Sequence, residues 1–279
     1  MLFILTGDIQ IGKTRWLTIL CEELMGRGII CRGVLSPGIW RRHFANDDAN
    51  GMEARTADDS APTFEKLGIE TVLLPSGERF PFALRRDLAE SAPVGTTIAV
   101  GAPEQAATTG QADRAQLGWA IRDEAIMAVN AHFDKLATHM PGRAGMGIQS
   151  SNDGDARHDI GIQADDDTQA RPGLLVVDEL GRLELLHEGG FTSAVRLLDG
   201  GPSPACSHAL IVVRDQLASL ALARFAPVWS DISIISPDAI AHTAVHALYA
   251  RDLSAKMSSR GRTATSAGKP TGSARHTTA

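Results

Sequence analysis

An apolar run, Leu2-Phe3-Ile4-Leu5, leads into Gly7-Asp8-Ile9-Gln10-Ile11-Gly12-Lys13-Thr14 and then into a helical pattern through Trp16, Ile19, Leu20 and Leu24. A strand, a glycine-bounded loop and a helix in that order leave few architectures open. The glycines let successive backbone N–H groups turn inward around an anion, and the helix adds its positive N-terminal end. The pattern is that of a P-loop, in which Lys13 reaches the β and γ phosphates of a nucleotide and the Thr14 hydroxyl ligates Mg²⁺. Gly7, Asp8, Ile9, Gln10, Ile11, Gly12, Lys13, Thr14 and the following Arg15 are the expected phosphate-binding residues, with Lys13 also catalytic.

The rest of the chain must supply a sheet for that loop. Continuous apolar runs at Ile29–Leu35, Leu174–Val177, Ala209–Val213 and Ile232–Ile235 read as parallel strands covered on both faces. Helical patterns run from about Lys13 to Met25, Leu117 to Phe133, Phe191 to Leu198, Gln216 to Phe225 and Pro237 to Tyr249. A strand at Thr71–Leu74, closed by Pro75-Ser76-Gly77, and the polar stretch before it suggest an antiparallel excursion. The expected fold is α/β: a mostly parallel central sheet flanked by helices, with a small antiparallel excursion.

Two segments lack periodicity. Residues 89–116 are rich in Ala, Gly, Thr and Pro, and residues 138–172 collect Gly, Asp, Gln and Ser; both read as flexible insertions. The Asp165-Asp166-Asp167 run reads as a solvated charge cluster rather than a metal site. From residue 251 the chain is Ser, Thr, Ala, Gly and basic residues without apolar anchors, the composition of a disordered tail. One compact domain over residues 1–250 remains.

The formal charge of −6 offers no general basic surface, so no nucleic acid is indicated, and a nucleotide must be captured by a local positive site. Cys21, Cys31 and Cys206 form no CxxC pair and read as reduced core thiols. No run approaches the ~20 apolar residues of a membrane span. A cytoplasmic protein is expected.

Leu174–Val177 ends in Asp178-Glu179, the complement a phosphate loop requires. An acid at the carboxyl end of a neighbouring strand holds Mg²⁺ together with Thr14, and Asp178 takes that role. Glu179 follows as the base that accepts a proton from an attacking water. Arg15, Arg182 and Arg214 are open candidates for a cation near the γ phosphate, and the histidines form no metal or triad spacing.

Gly7–Thr14 near the start, Gly33-Val-Leu-Ser-Pro37 and Val177-Asp-Glu-Leu-Gly-Arg-Leu-Glu-Leu185 together resemble the small P-loop nucleoside-triphosphatases, the family that includes the human cancer-related enzyme. The resemblance extends through Ser76-Gly77, the Leu117–Asn130 stretch and Val212-Val213-Arg214. It implies Mg²⁺-dependent hydrolysis of ATP, GTP and other nucleoside triphosphates, with Gly181 beside Asp178 in the nucleotide site. The two insertions depart from that compact family and leave protein-partner contacts open. Ser236-Pro-Asp-Ala replaces its usual polar ending, which leaves base recognition open. Two other functions fit the same motifs: a small-molecule or nucleotide kinase, with Arg79, Arg85 and Arg86 as a lid set, and a nucleotide-dependent switch protein.

Overall fold

Alternation of buried side chains on both faces of a strand requires a layer of helices on each side, and the computed structural model has that form. It describes residues 1–43, 63–91, 118–140 and 173–250. Along the chain these give β1 (Leu2–Leu5), α1 (Lys13–Gly26), β2 (Ile30–Leu35), β3 (Gly38–His43), β4 (Thr63–Leu74), β5 (Arg79–Arg85), α2 (Arg86–Ser91), β6 (Trp119–Ile121) and α3 (Asp123–His139). They continue with β7 (Gly173–Leu180), α4 (Arg182–Leu186), α5 (Thr192–Asp199), β8 (His208–Val213), α6 (Asp215–Phe225) and β9 (Ile232–Ile235). A last helix, α7, occupies residues 239–250. The chain divides into two units after Pro237; α7 is the described part of the second, and its Ala241, Val245 and Tyr249 are buried at intervals of four.

The first unit holds a nine-stranded sheet in the order β6-β5-β4-β2-β7-β8-β1-β9, with β3 also paired to β4. β2, β7, β8, β1 and β9 are mutually parallel. β3, β4, β5 and β6 pair antiparallel, an arm larger than the sequence suggests. On one face Leu2, Ile4, Val34, Leu175, Val177, Ala209 and Ile211 join a core with α3, α5 and α6, through Ile126, Val129, Phe133, Ala194, Leu198, Leu217 and Phe225. Phe3, Leu5, Leu174, Val176, Leu210 and Val212 alternate with them and are equally buried.

Four expectations are corrected in detail. The buried stripe of α1 is Leu17, Leu20, Cys21 and Leu24; Ile19 is exposed, so the helix is turned by about one residue from the expected face. Trp119–Ile121 is a strand paired to β5, and the helix expected from Leu117 starts at Asp123, where Asp123 and Glu124 complement its positive end. β4 is 12 residues long instead of four, because its first half, Thr63-Phe-Glu-Lys-Leu-Gly-Ile-Glu70, interleaves charged residues and a glycine with its apolar ones and makes no continuous apolar run. Residues 89–91 belong to α2, and residues 138–140 close α3, with Met140 in the core. The remainder of both proposed insertions, the Asp165–Asp167 run and the tail from residue 251 lie outside the described residues. The three cysteines are buried and unpaired, as expected. No helix among the described residues is long and apolar enough to cross a membrane.

One feature of the pairing positions the site. β2 and β3 lie in succession along the same edge of β4: Leu35 faces Val72, and Gly38 faces Ile69. Between them the Glu70 amide donates to the Pro37 carbonyl at 2.9 Å, so Ser36 leaves the ladder while the strand pair continues past the carboxyl edge of β2 and β7.

Candidate active site

The loop from Gly7 to Gly12 leaves the carboxyl end of β1 and enters α1. Its path needs left-handed backbone: φ is 131° at Gly7, 66° at Gln10 and 90° at Gly12. At Gly7 it is the backbone conformation that favours glycine; a Cβ would come within 2.5 Å of the Ile11 Cδ1, the end of a side chain that is 45% exposed and can turn aside. The tip of the loop is open to solvent, with Ile9 75% exposed. Lys13 folds back over it, its Nζ donating to the carbonyls of Gly7 at 2.8 Å and Asp8 at 2.7 Å. Arg15 is exposed on α1.

Two strands away, β7 brings its acids to the same edge. The Thr14 hydroxyl donates to Asp178 Oδ1 at 3.2 Å, joining the start of α1 to the end of β7 across 164 residues of chain. The Ser36 amide, freed from the β4 ladder, donates to Asp178 Oδ2 at 2.9 Å, and its hydroxyl donates to the Asp178 carbonyl. Asp178 is 1% exposed. Burial pushes its carboxyl up to about 6, and the neighbouring Glu179 adds to that, against the opposing pull of the Ser36 amide, the Thr14 hydroxyl and Lys66.

Glu179 does not continue the ladder. Asp178 pairs with Val212 and Leu180 with Val213, so Glu179 is an extra residue in a β-bulge, with φ at 144°. Consecutive strand residues normally face opposite sides of a sheet, and the bulge breaks that rule here. Glu179 Oε1 accepts from Arg214 Nε at 2.9 Å, where Arg214 sits between β8 and α6. Both side chains are about two-fifths exposed, 40% and 45%, and an exposed pair of this kind contributes only about 0–1 kcal/mol. It can open at little cost.

Of the candidate residues, Gly7–Thr14, Asp178 and Glu179 therefore meet at one edge. The Gly181 amide is engaged by α4: it donates to Glu184 Oε2 at 2.8 Å, and the buried Glu184 also accepts from the Phe191 amide. Of the three arginine candidates, Arg214 stands at the site, against Glu179, while Arg15 and Arg182 are exposed. Sequence reading assigned no role to Ser36 or to Lys66. Lys66, on β4, is half-buried, and its charge is felt by Glu179, Asp178 and Arg214; burial lowers its pKa from the usual lysine value while the two acids oppose that. The Ser36 signal was present, as the Ser-Pro that ends a buried strand. That of Lys66 was not, because it depends on strand pairing.

Thr14 and Asp178 together offer a hydroxyl and a carboxylate side by side, hard oxygen donors of the kind Mg²⁺ takes, and a carboxylate that burial disfavours gains from a cation. The residues fit the metal. A separate cavity of about 200 Å³, lined by Met140, Leu175, Arg196, Cys206 and Trp229 among others, lies toward the amino ends of β7 and β8.

No family model matches the chain, and no curated protein does. Among solved structures it is similar to the solution structure of a human cancer-related nucleoside triphosphatase, at 16% identity and a TM-score of 0.40, over 84% of this chain and 87% of that one. The functional reading rests on the residues of the site.

Proposed function

We propose that this chain is a Mg²⁺-dependent nucleoside-triphosphate hydrolase. The observation that carries the reading is the Thr14–Asp178 hydrogen bond of 3.2 Å, which joins a glycine-bounded loop at a helix N-terminus to a buried acid followed directly by a second one. The loop amides and Lys13 hold the β and γ phosphates, and Lys13 exchanges its two loop carbonyls for phosphate oxygens as the nucleotide enters. Bound Mg²⁺, with Thr14 and Asp178 as its protein-side partners, supplies neutralisation of phosphate charge. Glu179, turned out of the ladder by its bulge, takes a proton from the attacking water; the new O–P bond forms as the bond to the β-phosphate oxygen breaks. Arg214 holds Glu179 in place until then.

The kinase reading stands second: of its lid set, Arg79 meets Glu70 at 2.7 Å and Arg85 meets Glu65 and Asp87, pairs that would have to open before either arginine reached a phosphate. The test is phosphate release by the purified protein with ATP, GTP, CTP and UTP, with and without Mg²⁺. Release that requires Mg²⁺ and extends over several bases supports the reading; a folded protein that releases none overturns it.

A further inference from the structure

The antiparallel arm contributes a charge, that of Lys66, with no ion-pair partner among the described residues. Arg79, Arg85, Arg196, Arg214 and Arg224 each meet a carboxylate within 4.0 Å. Lys66 meets none among the described residues, although it is half-buried. An ammonium withdrawn from water without a counter-ion in contact is costly; Glu179 and Asp178 offset part of that cost from a distance, and an arriving anion relieves the rest.

Its place is well defined. Lys66 pairs in register with Trp40 across the β3–β4 ladder, on the part of the arm that continues beyond the carboxyl edge of β2 and β7. Its Nζ lies 5.1 Å from the Trp119 ring centre and 6.0 Å from that of Trp40. Its stem packs on Gly38 so closely that a Cβ there would reach the Lys66 Cε at 2.8 Å and the Trp40 Nε1 at 2.6 Å. Gly38 in turn lies two residues after Ser36, whose amide holds Asp178. Aromatic faces steady a cation without discharging it, which a carboxylate partner would do.

We propose that Lys66 is a catalytic residue of the site described above: the cation that binds the γ-phosphate oxygens of a nucleoside triphosphate and offsets the charge gathering there as the phosphoryl group transfers to water. The inference rests on the nucleotide-hydrolase reading and adds to it the group that sequence alone left among three arginines. Lys66 exchanges no proton in the step; the water proton goes to Glu179, and the leaving diphosphate keeps the electrons of the broken P–O bond. Arg214 is less suited, because it is exposed and already paired with Glu179.

Lys66→Met keeps the stem packed against Trp40 and Trp119 and removes the charge. Phosphate release from ATP should fall about 10²–10³-fold, the usual effect of losing one preorganised group at developing charge. ADP affinity by calorimetry should stay at the parent value, and capture of Mg²⁺, ADP and aluminium fluoride, which mimics the transferring phosphoryl group, should be lost. Lys66→Arg should recover part of both. A folded Lys66→Met protein that hydrolyses ATP and captures the mimic as the parent does would overturn the proposal and leave the hydrolase reading standing. A parent protein that neither binds ADP nor releases phosphate overturns that reading, and this one with it. If Lys66→Met does not fold, Lys66→Gln takes the same three measurements.

Discussion

Asp178 and Glu179 are chain neighbours in opposite surroundings, so their substitutions should fail in different ways. Asp178 is buried, with one oxygen on the Ser36 amide and the other on the Thr14 hydroxyl. Asp178→Asn can keep both contacts, since its amide oxygen accepts from Ser36 while its NH₂ donates to Thr14, but a neutral amide is a poorer partner for a hydrated cation. The expected outcome is a folded protein that needs roughly tenfold or more Mg²⁺ for half-maximal phosphate release, read from a metal titration. Glu179→Gln should leave nucleotide affinity near the parent value and slow single-turnover hydrolysis by about two to four orders of magnitude. Parent-rate hydrolysis by Glu179→Gln would mean that another group activates water. Lys13→Ala should abolish turnover without harming the fold, because the Lys13 ammonium bonds only to two loop carbonyls among its hydrogen bonds here; near-normal release would remove the loop from the mechanism. Lys13, Thr14, Asp178 and Glu179 were legible in the sequence because each belongs to a local motif whose spacing is its chemistry. Ser36 was marked only by the Ser-Pro that ends a buried strand, since its role comes from a break between two strands, and Lys66 was not marked at all, because it is aimed by its partner across a ladder.

Two irregularities in otherwise regular strands shape the edge at which these residues meet. The bulge in β7 puts Glu179 beside Asp178, and the break between β2 and β3 gives Asp178 its amide partner. Neither is visible as periodicity: Leu174–Val177 announces a buried strand, but where its ladder slips depends on β8. The parallel strands were legible because both of their faces are buried, which writes a continuous apolar run. The β3–β6 arm was read short because its apolar residues stand among charges: Trp40 and Phe64 are exposed and are followed by Arg41 and Glu65. β2 depends on its own close approach to β7. At Gly33 φ is 127°, and a Cβ would lie 1.9 Å from the Val176 carbonyl oxygen and 3.0 Å from its carbon, both backbone atoms that cannot step aside alone. Gly33→Ala should therefore destabilise the protein by about 1–3 kcal/mol or more. The measurement is a urea unfolding curve, where the midpoint should fall at unchanged slope. A midpoint equal to that of the parent would show that β2 shifts away from β7 freely.

Across the molecule the two edges of the sheet have different tasks, and the difference bears on what can be removed. Loop, acids and cations gather at the carboxyl edge, as ligand sites do in open α/β sheets, whereas the segment after α3 leaves and returns at the amino edge. Strand order could not be read from the sequence, because β1 lies against β8 and β9 rather than against the strand that follows it. That Met140 and Gly173, the described residues on either side of the long polar segment, lie at that edge was equally hidden. Its start must be set later than composition alone suggests: Met140 is 5% exposed in the core, with its sulfur 4.0 Å from that of Cys206. Its far end is close by, since a Cβ on Gly173 would come within 2.5 Å of the Ala205 carbonyl oxygen. Both ends thus flank the Ala205-Cys206 turn. A flexible linker of about eight Gly and Ser residues, with a mean reach of roughly 15 Å, is sufficient to connect them. Replacing residues 141–172 in this way should leave Mg²⁺-dependent phosphate release within about twofold of the parent, since the segment has no apolar periodicity with which to join the core. Cutting from residue 138, which removes Met140, should lower the unfolding midpoint, because a buried methionine is worth about 2–5 kcal/mol. Comparing the two deletions by thermal unfolding and by phosphate release decides the matter. Equal stability of the two would deny Met140 its place in the core, and loss of both fold and turnover in the shorter deletion would mean that residues 141–172 carry structure the active site needs.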